Sequence, residues 1–255
     1  MAEGFKDHFA SVSRDYATFR PTYPHALFEW LGALAPARSL VWDCGTGSGQ
    51  AARALADHFD RVIATDASHA QLARALTHPR VEYRVASAED SGLASESADL
   101  VTVAQALHWF ETERFFAECD RVLVPGGVLG VWTYGPLQVE NTSVDRIVRD
   151  YYQNIVGPFW PPERALVDSG FASLDFPYPL FETPPFSMEA CWTLPELLGY
   201  LGTWTATVAY RETVERDPLD LIEHHLAGAW PDPRESRRIT WPLTVLAGRR
   251  TVAGL

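Results

Sequence analysis

The sequence has little positive charge, and almost none of it comes from lysine. Lys6 is the only lysine among 21 basic residues, and 33 acidic residues give the chain a formal net charge of -12. A chain with this balance has no sequence-wide basic footprint for a phosphate backbone, and a local basic patch is the alternative. The composition therefore disfavours nucleic acid as a partner.

Cysteines and long apolar runs are also scarce. The three cysteines have no spacing typical of a disulfide framework or a zinc site. The best apolar run, Val122 to Trp132, contains Pro125-Gly126-Gly127 and is shorter than the roughly 20 residues of a membrane span. The first residues lack the basic and apolar regions of a signal peptide. We expect a cytoplasmic protein, monomer or homodimer, that binds neither a membrane nor a metal.

Short β-rich apolar runs alternate with helical patterns between Ser39 and Thr133. Near-continuous apolar strands separated by amphipathic helices predict a parallel sheet covered on both faces. The alternating segment Trp241 to Arg249 predicts a last strand. The expected fold is an α/β, doubly wound, Rossmann-like sheet, in which ligands bind at the carboxyl ends of the strands.

The prolines separate this region from the one that follows. Only four of the 18 prolines precede residue 125, and the segment after Tyr134 is rich in aromatic residues. Two helices are predicted there, Pro195 to Ala209 and Pro218 to Ala229. Each begins with a proline in its first turn, where the missing N–H costs nothing.

A glycine loop follows the first strand, and an acid ends the second. The loop is Asp43-Cys44-Gly45-Thr46-Gly47-Ser48-Gly49-Gln50, and the acid is Asp66. Glycine lets a ligand approach the backbone, the next helix offers free N–H groups, and a carboxylate can accept hydrogen bonds from ribose hydroxyls. Together they predict a nucleotide-type site. The alternatives are a turn needed only for packing and, for Asp66, a solvated acid or an N-cap of the helix near Ser68.

The spacing of the glycines distinguishes between cofactors. A dinucleotide fingerprint is Gly-x-Gly-x-x-Gly, whereas Gln50 takes the sixth place of this loop. This difference disfavours an NAD-dependent oxidoreductase. Asp66 would also repel the 2′-phosphate of NADP.

From Val12 to Thr133 these residues resemble class I S-adenosylmethionine-dependent methyltransferases. The resemblance implies that the loop holds the methionine part of S-adenosyl-L-methionine, that Asp66 holds the ribose, and that the segment after the third strand contacts adenine. It extends to Val103-Ala104-Gln105-Ala106-Leu107-His108-Trp109 after the fourth strand and to Arg121-Val122-Leu123-x-Pro125-Gly126-Gly127 before the fifth. The product would be S-adenosyl-L-homocysteine. The implied cofactor residues are Asp43, Gly45, Thr46, Gly47, Gly49, Gln50, Asp66, Ala67, Ser87, Ala88, Glu89, Ala104 and Gln105.

A second resemblance is to a small-molecule subgroup that includes trans-aconitate methyltransferases. It rests on Tyr16-x-x-x-Arg20-Pro21-x-Tyr23-Pro24 and on Trp204. It implies an N-terminal helix that closes over the site, with Tyr16, Arg20 and Trp204 near the substrate. Tyr16 also lies on an apolar helical stripe, so core packing is the alternative for it.

The resemblance also implies a domain order. The expected segments are a lid helix in 1–30, a cofactor-binding core in 31–135, a substrate cap with the sixth strand and inserted helices in 136–238, and the final strand in 239–255. The sheet would have seven strands with the last antiparallel, and the whole would form one structural domain.

Methyl transfer from a sulfonium is an in-line displacement that needs position and a dry site more than a metal. His108 is the candidate general base or substrate contact, with a packing role as the alternative. Trp109 is a candidate substrate contact, although burial is the default for any tryptophan. A carboxylate acceptor would need no base, and Arg20, with Arg14 or Arg211, would orient it.

The expected function is an S-adenosylmethionine-dependent methyltransferase that methylates a carboxylate or hydroxyl oxygen of a small molecule. An aromatic, proline-rich region after Tyr134 is typical of a segment that encloses a small substrate. The alternatives are methylation of carbon or nitrogen in a metabolite, methylation of RNA, an NAD-dependent oxidoreductase, and a non-catalytic cofactor-binding module.

Overall fold

The computed structural model describes residues 21–251, which divide into two compact units. The core unit contains Tyr23–Tyr134, Leu166–Phe186 and residues 243–251. The second unit contains residues 21–22, Gly135–Ala165 and Ser187–Pro242. Residues 166–186, which the sequence assigns to the cap, therefore belong to the core unit. None of the helices in the described part of the chain is long and apolar enough to cross a membrane.

Strands and helices alternate along the first part of the core unit. Helix α1 crosses the boundary predicted at residue 30. The elements are α1 (His25–Leu34), β1 (Leu40–Cys44), α2 (Gln50–Leu55), β2 (Arg61–Asp66), α3 (His69–Leu72), β3 (Val81–Val85), β4 (Ala98–Ala104), α4 (Thr112–Val122) and β5 (Leu123–Tyr134).

The rest of the chain is less regular and contains shorter elements. Its elements are β6 (Gln138–Val139), α5 (Thr142–Asp150), α6 (Arg164–Asp168), β7 (Phe186–Trp192), α7 (Leu194–Gly202), α8 (Thr205–Val214), α9 (Glu223–Ala229) and β8 (Arg237–Arg249).

The sheet of the core unit has the strand order β3-β2-β1-β4-β5-β8. Strands β1 to β5 pair in parallel, and β8 pairs antiparallel with β5 from Val128–Arg249 to Tyr134–Leu243. Strands β6 and β7 also pair with β8, which gives eight strands where seven are expected. The prediction of a mostly parallel sheet with an antiparallel last strand is confirmed.

Both faces of this sheet are covered, as the near-continuous apolar strands predict. Trp42 of β1 joins a buried cluster with Phe115 of α4, whereas the adjacent Val41 joins a second cluster with Leu31 of α1 and Leu55 of α2. Successive residues of a strand point to opposite faces, so β1 contributes to both clusters. The doubly wound arrangement is confirmed.

The strand order reverses between β1 and β4. Strand β1 pairs with β2 on one side and with β4 on the other, and the three run in the same direction. In an open α/β sheet, the crevice at such a reversal is the usual ligand site. The carboxyl ends of β1 and β4 are Cys44 and Ala104.

The single helix predicted over Pro195–Ala209 is wrong, because the chain forms α7 and α8 instead. Trp204 lies between them with extended backbone, φ -65° and ψ 136°. Its ring is 9% exposed and belongs to an aromatic cluster inside the second unit. An uninterrupted helix would change the direction of this side chain. Trp204 lies 5.4 to 5.9 Å, between ring centroids, from Tyr151, Tyr152, Trp160 and Tyr200.

The other helix predicted in this region differs in its first turn. The helix predicted from Pro218 is a 3-10 turn, Pro218–Leu221, followed by α9. Helix α7 has proline in its first turn, as expected, and Thr193 and Glu196 form a capping box that satisfies N–H groups there.

Candidate active site

A buried carboxylate connects the glycine loop to the sheet. Asp43 in β1 is 0% exposed, and its Oδ2 accepts a hydrogen bond from Thr46 Oγ1 at 2.5 Å. Its Oδ1 accepts from Thr102 Oγ1 of β4 at 2.8 Å. Burial raises the pKa of Asp43 from 3.8 to about 6; the two hydroxyl groups oppose this rise, and the charge of Asp66 adds to it. Asp43 therefore holds the loop and β4 together.

The glycine loop is packed closely at one end and open at its centre. A Cβ on Gly45 would lie 2.6 Å from Ala106 Cβ and 3.0 Å from Phe110 Cζ. A Cβ on Gly47 would have no atom of the described residues within 4 Å, apart from its chain neighbours. Both glycines have positive φ, +67° and +57°. The loop therefore needs glycine at Gly45 for packing, and Gly47 leaves room for a ligand.

The acid at the end of β2 contacts the same loop. Asp66 Oδ2 accepts a hydrogen bond from Gly47 N at 2.8 Å, and Oδ1 accepts from Ser68 N at 2.8 Å. The N-cap of α3 is Ser68, whose Oγ accepts from Gln71 N, so the N-cap interpretation of Asp66 is wrong. A carboxylate oxygen can accept more than one hydrogen bond, and Asp66 is partly exposed. Asp66 therefore lies beside the open part of the loop.

The segment after β3 is held against α4. Ala88 is buried, Glu89 is partly exposed, and Glu89 Oε1 accepts a hydrogen bond from Glu111 N at 3.1 Å. Farther along the segment, Ser91 N and Oγ donate to Glu118 Oε1 at 2.9 and 2.5 Å. These contacts fix the course of the predicted adenine segment.

The turn after β4 is anchored by Leu107 and carries two partly exposed rings. Leu107 is 1% exposed, and the rings of His108 and Trp109 lie 4.7 Å apart between centroids. The residues from Leu107 to Trp109 form a single 3-10 turn. Gln105, two residues before this turn, has φ +54°, and its side chain forms hydrogen bonds with β5. The fourth-strand motif therefore forms one compact turn in the core unit.

The remaining predicted residues fall into three groups. Tyr16, Arg20 and Arg14 lie outside the described residues. Trp204 and Arg211 belong to the second unit, where Arg211 Nη2 forms an ion pair with Asp217 Oδ2 at 2.8 Å. The third group is the remaining predicted cofactor residues, which lie in the core unit: Thr46 is buried, Gln50 and Ala104 are partly exposed, and Ala67 and Ser87 are exposed. Within residues 21–251, no group of three or more histidine, cysteine or acidic residues could hold a metal ion.

Three residues that hold the glycine loop and the turn after β4 were not predicted from the sequence. Thr102 holds Asp43, and Tyr83 of β3 leaves no room for a side chain on Gly49, whose Cβ would lie 2.2 Å from the Tyr83 hydroxyl oxygen. Thr133 of β5 donates a hydrogen bond to Gln105 Oε1. Thr102 is the one polar residue in the run Leu100-Val101-Thr102-Val103-Ala104, which is a signal that could have found it.

The sequence matches the methyltransferase domain family over residues 42–131. A methyltransferase of Dictyostelium discoideum is 34% identical over 229 residues, which cover 89% of this chain and 87% of that protein. An uncharacterized methyltransferase of Mycobacterium tuberculosis is 38% identical over 250 residues, which cover 96% of each protein. The structure of a protein from Anaeromyxobacter dehalogenans, described as a type II methyltransferase, has 49% sequence identity and a TM-score of 0.85, and the match covers 90% of this chain and 97% of that one. These descriptions name the reaction class and no methyl acceptor.

The two loop glycines provide a matched pair of substitutions. Gly47→Ala should lower the free energy of unfolding by roughly 1 to 2 kcal/mol, the cost of left-handed backbone for alanine. Gly45→Ala should lower it by more, because the new Cβ also overlaps Ala106 and Phe110. Urea unfolding of both variants measures the difference. Equal losses would contradict the close packing at Gly45.

The buried Asp43 predicts a pH-dependent stability. Burial raises the pKa of Asp43 from 3.8 in the unfolded chain to about 6 in the folded protein. Between pH 4 and pH 7 the folded protein therefore binds more protons at Asp43 than the unfolded chain does. The wild type should therefore lose stability relative to Asp43→Asn as the pH rises, by roughly 2 to 3 kcal/mol in total. Urea unfolding of both proteins across this range tests the prediction. A stability difference that is constant with pH would contradict it.

Proposed function

Because the chain belongs to the methyltransferase family, we propose that it transfers the methyl group of S-adenosyl-L-methionine to a carboxylate or hydroxyl oxygen of a small molecule. The observation that carries the proposal is the open Gly47 beside the Asp66 carboxylate. Gly47 follows β1, at the reversal of strand order between β1 and β4 that is the usual ligand site of such sheets. Asp66 ends the adjacent β2 and accepts a hydrogen bond from the Gly47 N–H.

The residues of this crevice fit the proposed cofactor. The space at Gly47 would admit the methionine part, and Asp66 would accept hydrogen bonds from the ribose hydroxyls while it keeps its bonds to backbone N–H groups. The segment from Ser87 to Glu89 would line the adenine. Asp43, fully buried with both oxygens bonded to hydroxyls, would position the loop rather than touch the ligand.

The bound cofactor would supply an electrophilic methyl group, and the product would be S-adenosyl-L-homocysteine. The chain itself would bind the donor and the acceptor, orient them and exclude water. These are the main requirements of a displacement on an activated donor. Family membership favours this reaction over NAD-dependent oxidoreduction and over a non-catalytic module.

His108 and Trp109, in the 3-10 turn after β4, are the proposed substrate contacts of the core unit. His108 would accept a proton from a hydroxyl acceptor or hold an acceptor oxygen. A carboxylate acceptor is already ionised and would need orientation alone. Arg20 and Arg14 remain the proposed orienting residues, and Arg211 is a weaker candidate because Asp217 pairs with it.

Asp66→Ala tests the cofactor assignment. The variant should bind S-adenosyl-L-methionine at least tenfold more weakly, because each charge-assisted hydrogen bond contributes about 1.5 to 3 kcal/mol. Titration calorimetry measures the affinity, and Asp60→Ala, which removes an exposed acid one residue before β2, is the matched control. Unchanged affinity in Asp66→Ala would show that another acid holds the ribose. Preferential binding of NAD by the wild type would contradict the proposed function.

A screen of small acids and phenols with radiolabelled methyl donor tests the acceptor. We expect transfer to a small molecule, and with a carboxylate acceptor His108→Ala should keep most of the turnover. A large loss of turnover with unchanged cofactor affinity would instead assign His108 as a base. Transfer to tRNA or protein but to no small molecule would contradict the acceptor class.

A further inference from the structure

Gln105 has a backbone conformation that residues other than glycine rarely adopt. Its φ is +54°, and it directly follows β4 at the reversal of strand order. Such conformations persist where surrounding contacts enforce them, and they are common at functional sites. The conformation of Gln105 therefore depends on contacts that hold it in place.

Three consecutive residues of β5 hold Gln105. Its backbone N–H donates to Trp132 O at 3.0 Å, its side-chain Oε1 accepts from Thr133 Oγ1, and its Nε2 donates to Tyr134 O at 3.1 Å. Thr133 is 1% exposed and Tyr134 is 6% exposed, so these bonds are shielded from water. Both ends of the side-chain amide are engaged by β5. We call these three contacts the Gln105 clamp.

The clamp supports a contact with the glycine loop. Ala106, the next residue, is 9% exposed, and its Cβ lies 2.6 Å from the position that a Gly45 Cβ would occupy. Ala106 O also accepts from Trp109 N at 2.9 Å, which closes the turn that carries His108. A change in the backbone of Gln105 would therefore move Ala106 relative to Gly45.

We propose that Gln105 is a positioning residue: its clamp to β5 holds Ala106 against Gly45 and so keeps the loop in the conformation that receives the methionine part of the cofactor. This role replaces direct contact between the Gln105 side chain and the cofactor. The inference rests on the proposed function, since it assumes that the loop binds S-adenosyl-L-methionine.

The clamp can be weakened at a residue with no proposed cofactor contact. Thr133→Val removes the hydroxyl that donates to Gln105 Oε1 and keeps the shape of the side chain, and Thr133→Ser restores a hydroxyl as the matched control. Calorimetry would measure the affinity for S-adenosyl-L-homocysteine and for 5′-methylthioadenosine, which lacks the amino-acid part. We expect Thr133→Val to bind the first about tenfold more weakly and the second within about twofold of wild type. Thr133→Ser should bind both within about twofold.

Gln105→Gly gives a second test, because glycine at this position adopts positive φ without strain and removes only the side-chain contacts of the clamp. It should also bind S-adenosyl-L-homocysteine about tenfold more weakly than wild type, with 5′-methylthioadenosine again little changed. Wild-type affinity in this variant would overturn the proposal, because the side-chain clamp would then be dispensable.

Three further outcomes would overturn the inference in distinguishable ways. Equal weakening of both ligands by Thr133→Val would indicate a general structural loss. Weak binding in Gln105→Gly with unchanged binding in Thr133→Val would indicate that Gln105 contacts the cofactor directly. If the wild type binds neither ligand, the proposed function itself fails, whereas the first two outcomes leave it standing.

Discussion

The arrangement of the candidate site depends on one buried carboxylate. Asp43 joins its own strand, the glycine loop through Thr46 and the neighbouring β4 through Thr102. A carboxylate in this environment loses hydration, and two hydroxyl donors offset part of that loss, as the raised pKa of about 6 reflects. The same bonds bring the loop to the point where the strand order reverses. The site therefore gains its shape at a cost in stability near neutral pH.

Close packing then sets the limits within which this loop can lie. Ala106 approaches Gly45 and Tyr83 approaches Gly49, each at a distance that excludes a Cβ. Gly47 between them stays open, with its N–H bonded to Asp66. A loop that is packed at both ends and open at its centre suits ligand binding through its backbone, because the loop then loses little conformational entropy when the ligand binds.

The proposed cofactor residues and the proposed substrate contact Trp204 belong to different units of the chain. The family match covers residues 42–131, which contain every proposed cofactor residue. Trp204, proposed as a substrate contact, lies among four aromatic rings of the second unit. Trp204 therefore contributes to the packing of that unit. The trans-aconitate resemblance stays a prediction about the acceptor.

Local pattern alone predicted the alternation of strands and helices between Ser39 and Thr133, the glycine loop after β1 and the position of Asp66 at the end of β2, because periodicity and glycine conformation act over a few residues. Tertiary structure decided how these parts are held. Asp43 and Thr102 are 59 residues apart, and Gln105 and Thr133 are 28 apart, so only the folded sheet reveals their hydrogen bonds. The break between α7 and α8 has the same origin, since burial of the Trp204 ring overrides the helical pattern. Local sequence pattern does not contain contacts between distant segments, and these contacts fix the conformation of the glycine loop.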